Sequence, residues 1–196
     1  MTKTASASKA GATQPAPAYH LYVELDWVKP KVWRRLLVPV TIELPLLHVM
    51  LLWGMGWDGG HLHEFVFGHE HYGPREPGLD FGEEVDDEEG VTLREALGAR
   101  RSFRYVYDYG DNWVHKVKVE GIVMPAEPVA SALCIGGENA CPPEDVGGAP
   151  GYGEFLEALA DPSHSEHQHY KSWIGGSFDP CAFDIDEVNQ RLTQTE

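Results

Sequence analysis

A chain of 196 residues, 42% apolar and with six tryptophans, is long enough to bury one domain core and too apolar for an acidic disordered chain. Its formal net charge of -16 argues against duplex nucleic acid as a partner, because binding that polyanion normally takes a basic surface. No apolar run approaches the roughly 20 residues that span a bilayer, and the amino terminus lacks the apolar centre of a signal peptide, so a cytoplasmic location without membrane contact is expected.

In chain order, Met1 to Ala18 is rich in Ala, Ser, Thr, Gly and Pro without periodicity. It predicts a disordered tail (1–18) ahead of a single domain over 19–196. Tyr19, Leu21, Val23, Leu25 and Trp27 then alternate with mostly polar neighbours, the period-two pattern of a half-buried strand. Lys29-Pro30 turns the chain, and Val32 to Val38 returns as a second strand, giving a hairpin. Pro45 opens a helix in which Leu47, Leu51 and Met55 recur at helical spacing, and Gly54 and Gly56 close it. Leu62 to His69 alternates again, with His63, Phe65 and Phe67 on one face. Gly73 to Gly90 reads as an acidic loop. Thr92 and Glu95 have capping-box spacing for a short helix ending near Gly98.

Phe103, Tyr105 and Tyr107 alternate, as do Trp113, His115, Val117 and Val119, and the turn formers between them predict a second hairpin. From Val123 to about Tyr152 the chain reads as loop. Phe155, Leu156 and Leu159 predict a short helix ending before Pro162, Ser163 to Glu166 a second capping box leading toward Trp173, and Asp184 the cap of a last helix. Strands first and helices late indicate an α+β fold: a compact α/β roll whose mainly antiparallel sheet is built from hairpins, with helices packed on one face.

Four strings mix backbone-bending Gly and Pro with polar side chains: Gly56 to Phe65, Tyr107 to His115, Ala140 to Gly148 and, near the carboxyl end, Phe178 to Asp184. In His61-Leu62-His63-Glu64, two imidazoles separated by one residue on a strand face the same way and can serve one metal, or else one is exposed and the other satisfies a buried backbone group. In Tyr107 to His115, Asp108 and Asp111 can cap their own turn. Alternatively Asp111 and His115 pair a carboxylate with an imidazole near Asn112 and Trp113. In Cys141 to Gly148, Pro142 and Pro143 stiffen a segment bearing Glu144 and Asp145, which suits a ligand-facing loop or a packed connection. His164 and His167, three apart, are a weaker metal pair, with a surface role favoured. Cys134, Cys141 and Cys181 are an odd number without Cys-x-x-Cys spacing and read as buried free thiols. Lys29, Lys31, Arg34, Arg35, Arg100, Arg101 and Arg104 could form a local basic patch, although ordinary solvation of edges and loops accounts for them. No phosphate loop, nucleophile elbow or His-Glu-x-x-His string occurs.

Trp57-Asp58 with His61-Leu62-His63-Glu64-Phe65, then Tyr107-Asp108-Tyr109-Gly110-Asp111-Asn112-Trp113, resemble the plasmid pRiA4b ORF-3-like family, found on plasmids and as insertion-element passengers. The resemblance spans roughly Tyr19 to Leu192 and implies a compact α+β roll without an assigned chemistry. Relatives often carry a further Cys where this chain has Val146, which counts against a structural zinc. Two functional readings follow. One is a non-enzymatic, mobile-element-associated accessory protein that binds a protein or small ligand. The other is a metal-dependent hydrolase in which His61 and His63, with Asp111 or Glu144, hold a divalent cation.

Overall fold

The computed structural model describes residues 15–75 and 85–194. Most of the expected tail, and residues 76–84 of the acidic loop, lie outside them. Ala18, assigned to the tail, is already in the first strand and 1% exposed.

Among the described residues, eight strands make one sheet: β1 (Ala18–Leu25), β2 (Trp33–Pro39), β3 (His63–Phe67), β4 (Glu70–Gly73), β5 (Asp86–Asp87), β6 (Ser102–Tyr107), β7 (Trp113–Val123) and β8 (Leu133–Glu138). Their order is β5-β4-β3-β6-β7-β1-β2-β8, antiparallel throughout except for the β4–β5 pair. The two expected hairpins, β1–β2 and β6–β7, lie side by side at its centre, with Leu21 opposite Val119 and Val23 opposite Val117. Because side chains alternate, these residues share one face with Leu25, Phe65, Phe67, Phe103, Tyr105 and Tyr107, all buried. Burying Leu21, Val23 and Leu25 alone contributes about 5 kcal/mol or more.

Five helices among the described residues accompany the sheet: α1 (Leu44–Met55), α2 (Leu93–Leu97), α3 (Gly148–Ala160), α4 (His167–Trp173) and α5 (Ile185–Leu192). Helix α1 carries Pro45 in its first turn and stops at Gly56, whose φ of 119° gives the left-handed cap expected of glycine. Leu44, Leu47, Met50 and Leu51 are buried, and Gly54 sits directly over Leu36. Thr92 and Glu95 form the reciprocal capping box of α2. Asp184 accepts from the N–H groups of Asp186 and Glu187 to open α5. That helix packs on α1 and β8, where the Asn189 amide both accepts from the Cys134 N–H at 2.8 Å and donates to its carbonyl at 3.0 Å.

Four local expectations change. The stretch after Val123 contains β8, and α3 starts seven residues before Phe155. The acidic loop contributes β5, and its first residue, Gly73, closes β4. Helix α4 has no side-chain cap, because Ser163 is turned to Asp161 instead. Of the three free thiols only Cys134 is buried, Cys141 being intermediate and Cys181 exposed.

Arg34, which composition placed among surface cations, points into the core at 3% exposure. It meets carbonyl oxygens rather than a carboxylate: those of Gly54 and Met55 at the carboxyl end of α1, and those of Trp33, Glu138 and Asn139. The unpaired carbonyls of a helix end are partially negative, so they stabilise the buried guanidinium. The Phe183 ring lies 4.7 Å from its centre. Among the described residues, no helix is long and apolar enough to cross a membrane.

Candidate functional site

Three of the four strings come together at one end of the sheet. The chain leaving α1 crosses over Trp57, whose indole N–H donates to the Pro142 carbonyl at 2.9 Å. The Glu144 carboxylate accepts from the N–H groups of Asp58 and Gly59 and from the Tyr107 hydroxyl. On the other side of the loop, the Gly147 N–H donates to Asp111 Oδ2 at 3.1 Å. Gly148 takes φ of 67° and lies so close to the Asp111 carbonyl that a Cβ would collide with it. Glycine is therefore required there on two counts, conformation and space.

His61 is the hub of this junction. Its Nδ1 faces Asp108 Oδ2 at 3.6 Å, and its Nε2 faces Glu144 Oε2 and Asp145 Oδ1, each at 3.4 Å. The Tyr107 ring meets the imidazole edge-on at 5.8 Å. One ligand atom from each of His61, Asp108 and Asp145 lies within 4.8 Å of the others, a spacing at which a cation could touch all three. Asp108 is 6% exposed, with its Oδ1 held by the Gly110 N–H at 2.8 Å and its Oδ2 left for His61. The Asp145 side chain is largely solvated. Both aspartates have positive φ, 58° in each case, which Asp tolerates better than most residues but seldom adopts without cause. Burial, then the Glu144 charge, pushes the Tyr107 hydroxyl well above its usual range, so it stays protonated and donates. The nearby Cys141 thiol is also pushed up by burial, and it lies outside the group of ligand atoms that converge on His61.

The remaining sequence candidates have other partners. His63 does not join His61: its Nε2 lies 2.9 Å from Glu88 Oε2, and its ring stacks on His48 at 3.5 Å and 6°. His48 in turn meets the Tyr105 hydroxyl at 2.7 Å. Burial, with the neighbouring His63, lowers the His48 pKa to about 3, so the stack is a neutral one on the His48 side. Glu64 pairs with His71 on the other face. Asp111 and His115 do not meet, because Asp111 anchors the Gly147 loop while His115 is wholly buried with Nδ1 3.2 Å from the Tyr105 carbonyl. Burial brings the His115 pKa down to about 4. Asn112 turns the chain at φ 54°, its N–H donating to the Asp108 carbonyl, and Trp113 packs on Trp57 in the core. His164 and His167 do not form a pair: His164 Nδ1 accepts from the Glu166 N–H, and the buried His167 contacts the Ala158 carbonyl. Sequence reasoning passed over the buried network of His48, Glu88 and Tyr105. Only the interruption of an apolar helix by His48 hinted at it, since Glu88 looks like every other acid in its block.

Residues 17–187 match the family model described as plasmid pRiA4b ORF-3-like protein. The uncharacterized protein y4hQ of Sinorhizobium fredii is 41% identical over 181 residues, covering 90% of this chain and 91% of its own. The crystal structure of MM3350, a protein of unknown function from Methanosarcina mazei Go1, is similar with a TM-score of 0.79 at 33% identity, covering 90% of this chain and 99% of that one.

Proposed function

The chain belongs to the plasmid pRiA4b ORF-3-like protein family, and from that premise we propose that it is a non-enzymatic binding module whose ligand is cationic, with a divalent metal ion as the occupant its donor set suits best. The observation that carries this reading is the convergence of His61, Asp108 and Asp145 within 4.8 Å, beside Glu144. Three carboxylates crowded on one imidazole repel one another, and a cation relieves that repulsion. Oxygen donors with a single imidazole suit manganese or zinc, and there is no thiolate to favour a softer metal. Three free thiols fit a reducing compartment, in keeping with a cytoplasmic protein.

Nothing at the junction resembles an activated nucleophile, and Tyr107 is shifted away from acting as a base at neutral pH. One observation keeps a hydrolase as the second reading: the Asp145 side chain is 71% exposed, which leaves an open side where a metal-bound water could meet substrate. In that reading His61 is a ligand and His63 is not, since His63 is engaged by Glu88.

Equilibrium dialysis of tag-free protein against Mn²⁺ or Zn²⁺ tests both. One equivalent of metal is expected, with affinity lowered about tenfold or more in Asp108→Asn. At a hundredfold excess over Kd, binding should add about 2.7 kcal/mol of stability, or about 5–10 °C in Tm. Substoichiometric metal, or an Asp108→Asn variant that binds as well as the parent, would remove the cation reading. Metal-dependent cleavage of chromogenic esters, lost in the same variant, would put the hydrolase first.

A further inference from the structure

The face of the sheet opposite the core carries a separate feature. Along β1, β2, β6 and β7 the outward residues come into rows: Arg35 beside Tyr22, Tyr22 beside Lys118, and Lys118 beside Ser102; in the next row Lys116 lies beside Arg104. Apart from Arg35 at their margin, these rows and the segment before β6 line a groove of about 890 Å³. Although the chain as a whole is strongly acidic, five cations line this groove against one carboxylate, Glu24. Glu24 is itself engaged by Lys31 and by the Tyr22 hydroxyl. Arg100 pairs with Glu70, and Lys116 with Asp26. Arg101, Arg104 and Lys118 have no ion-pair partner among the described residues, and all three are exposed.

Aromatic surface borders these charges. Tyr22 and Trp33 lie 5.7 Å apart at a tilt of 31°, and the Arg35 guanidinium sits over both rings at 5.2 and 5.1 Å. The face thus offers unpaired cations on two adjacent strands, Arg104 and Lys118 standing diagonally to one another, next to flat rings and the Arg35 guanidinium, which Glu120 holds in place.

We infer that this sheet face binds single-stranded nucleic acid. Arg101, Arg104 and Lys118 take successive phosphates, and the Tyr22–Trp33–Arg35 platform takes a base. Both halves of that ligand are needed to use both halves of the surface. An acidic peptide would satisfy the cations and leave the rings without a role. A duplex keeps its bases stacked inward and needs more neutralising charge than three free cations on a polyanionic protein supply. The groove shares no residue with the His61 junction, so the two assignments stand or fall separately.

Anisotropy of a short fluorescein-labelled oligothymidylate, titrated with the full chain, is the test. Saturable binding is expected, weakening about a hundredfold for a tenfold rise in salt, as three phosphate contacts on a single strand require. Charge reversal in Arg104→Glu/Lys118→Glu should abolish it without lowering Tm, since both side chains are exposed and without an ion-pair partner among the described residues. Tyr22→Ala should weaken it about tenfold at fixed salt, a loss that contact through charge alone would not produce. Absence of binding at low salt overturns the inference. So does a matched duplex that binds as tightly as the single strand. Displacement of the oligonucleotide by an equal concentration of oligoglutamate would assign the face to an acidic protein segment instead.

Discussion

Arg34 is where a single residue matters most to the fold. A guanidinium has five donors in a planar fork, and here they reach the carbonyls of five residues that belong to three different segments. The bonds tie the end of α1 to β2 and to the exit of β8, the same region from which the Cys141 loop departs. Methionine matches much of the volume and none of the donors, so Arg34→Met leaves buried carbonyls unpaired. It should cost about 3 kcal/mol or more, and Arg34→Lys, with three donors on a point charge, should fall between it and the parent. Urea denaturation midpoints check the order. Sequence could not reveal this role: an Arg in a strand next to another Arg is read as exposed, and only the register of β2, with Arg34 and Leu36 facing inward, shows otherwise.

At the scale of elements, legibility followed apolar periodicity. The central hairpins alternate cleanly because one face is buried, and the helix ends at Thr92 and Asp184 announce themselves by capping chemistry. Strand β8 gives no such signal: Leu-Cys-Ile-Gly-Gly-Glu lies at an edge, and only Cys134 in it is buried. The opening of α3, Gly-Ala-Pro-Gly-Tyr-Gly, looks like loop, yet the glycines serve close packing at its first turn. Convergence of the site strings was partly legible, because their Gly and Pro content marked them as shaped segments. Which side chains would meet was not, since Glu144 reaches His61 across 83 positions that only the fold brings together. The docking of the Cys141 loop on the Asp111 turn gives a prediction with two signs. Gly148→Ala should cost about 1–3 kcal/mol and shift Glu144 and Asp145 off His61, whereas Gly153→Ala, with open space around its Cβ in the same helix, should stabilise by about 0.5–1 kcal/mol. Thermal melts of the two variants, with metal affinity of the first, decide it.

For the whole molecule, two buried histidines make stability depend on acid. His48 and His115 titrate near 3 and 4 when folded, against 6.5 when unfolded. The unfolded chain therefore binds more protons than the native one in this window, so stability is full above pH 6.5 and falls as pH drops toward about 4. At about pH 5 each histidine should withdraw roughly 2 kcal/mol. Melting curves between neutrality and pH 4 should show the decline, and His48→Gln should reduce its slope; a flat profile in the parent would mean that these imidazoles are not held neutral.

The amide of Asn189 has a consequence beyond docking its helix. A sheet ends where its last strand leaves peptide groups without a neighbour, and such a row invites a strand from another molecule. On the outer side of β8, Asn189 occupies both the donor and the acceptor of Cys134, as an added strand would. At the opposite margin, β5 presents Asp86 and Asp87, whose like charges repel a second copy approaching edge to edge. An imitation of pairing at Cys134 on one side and like charge on the other both work against a second copy adding a strand to either edge.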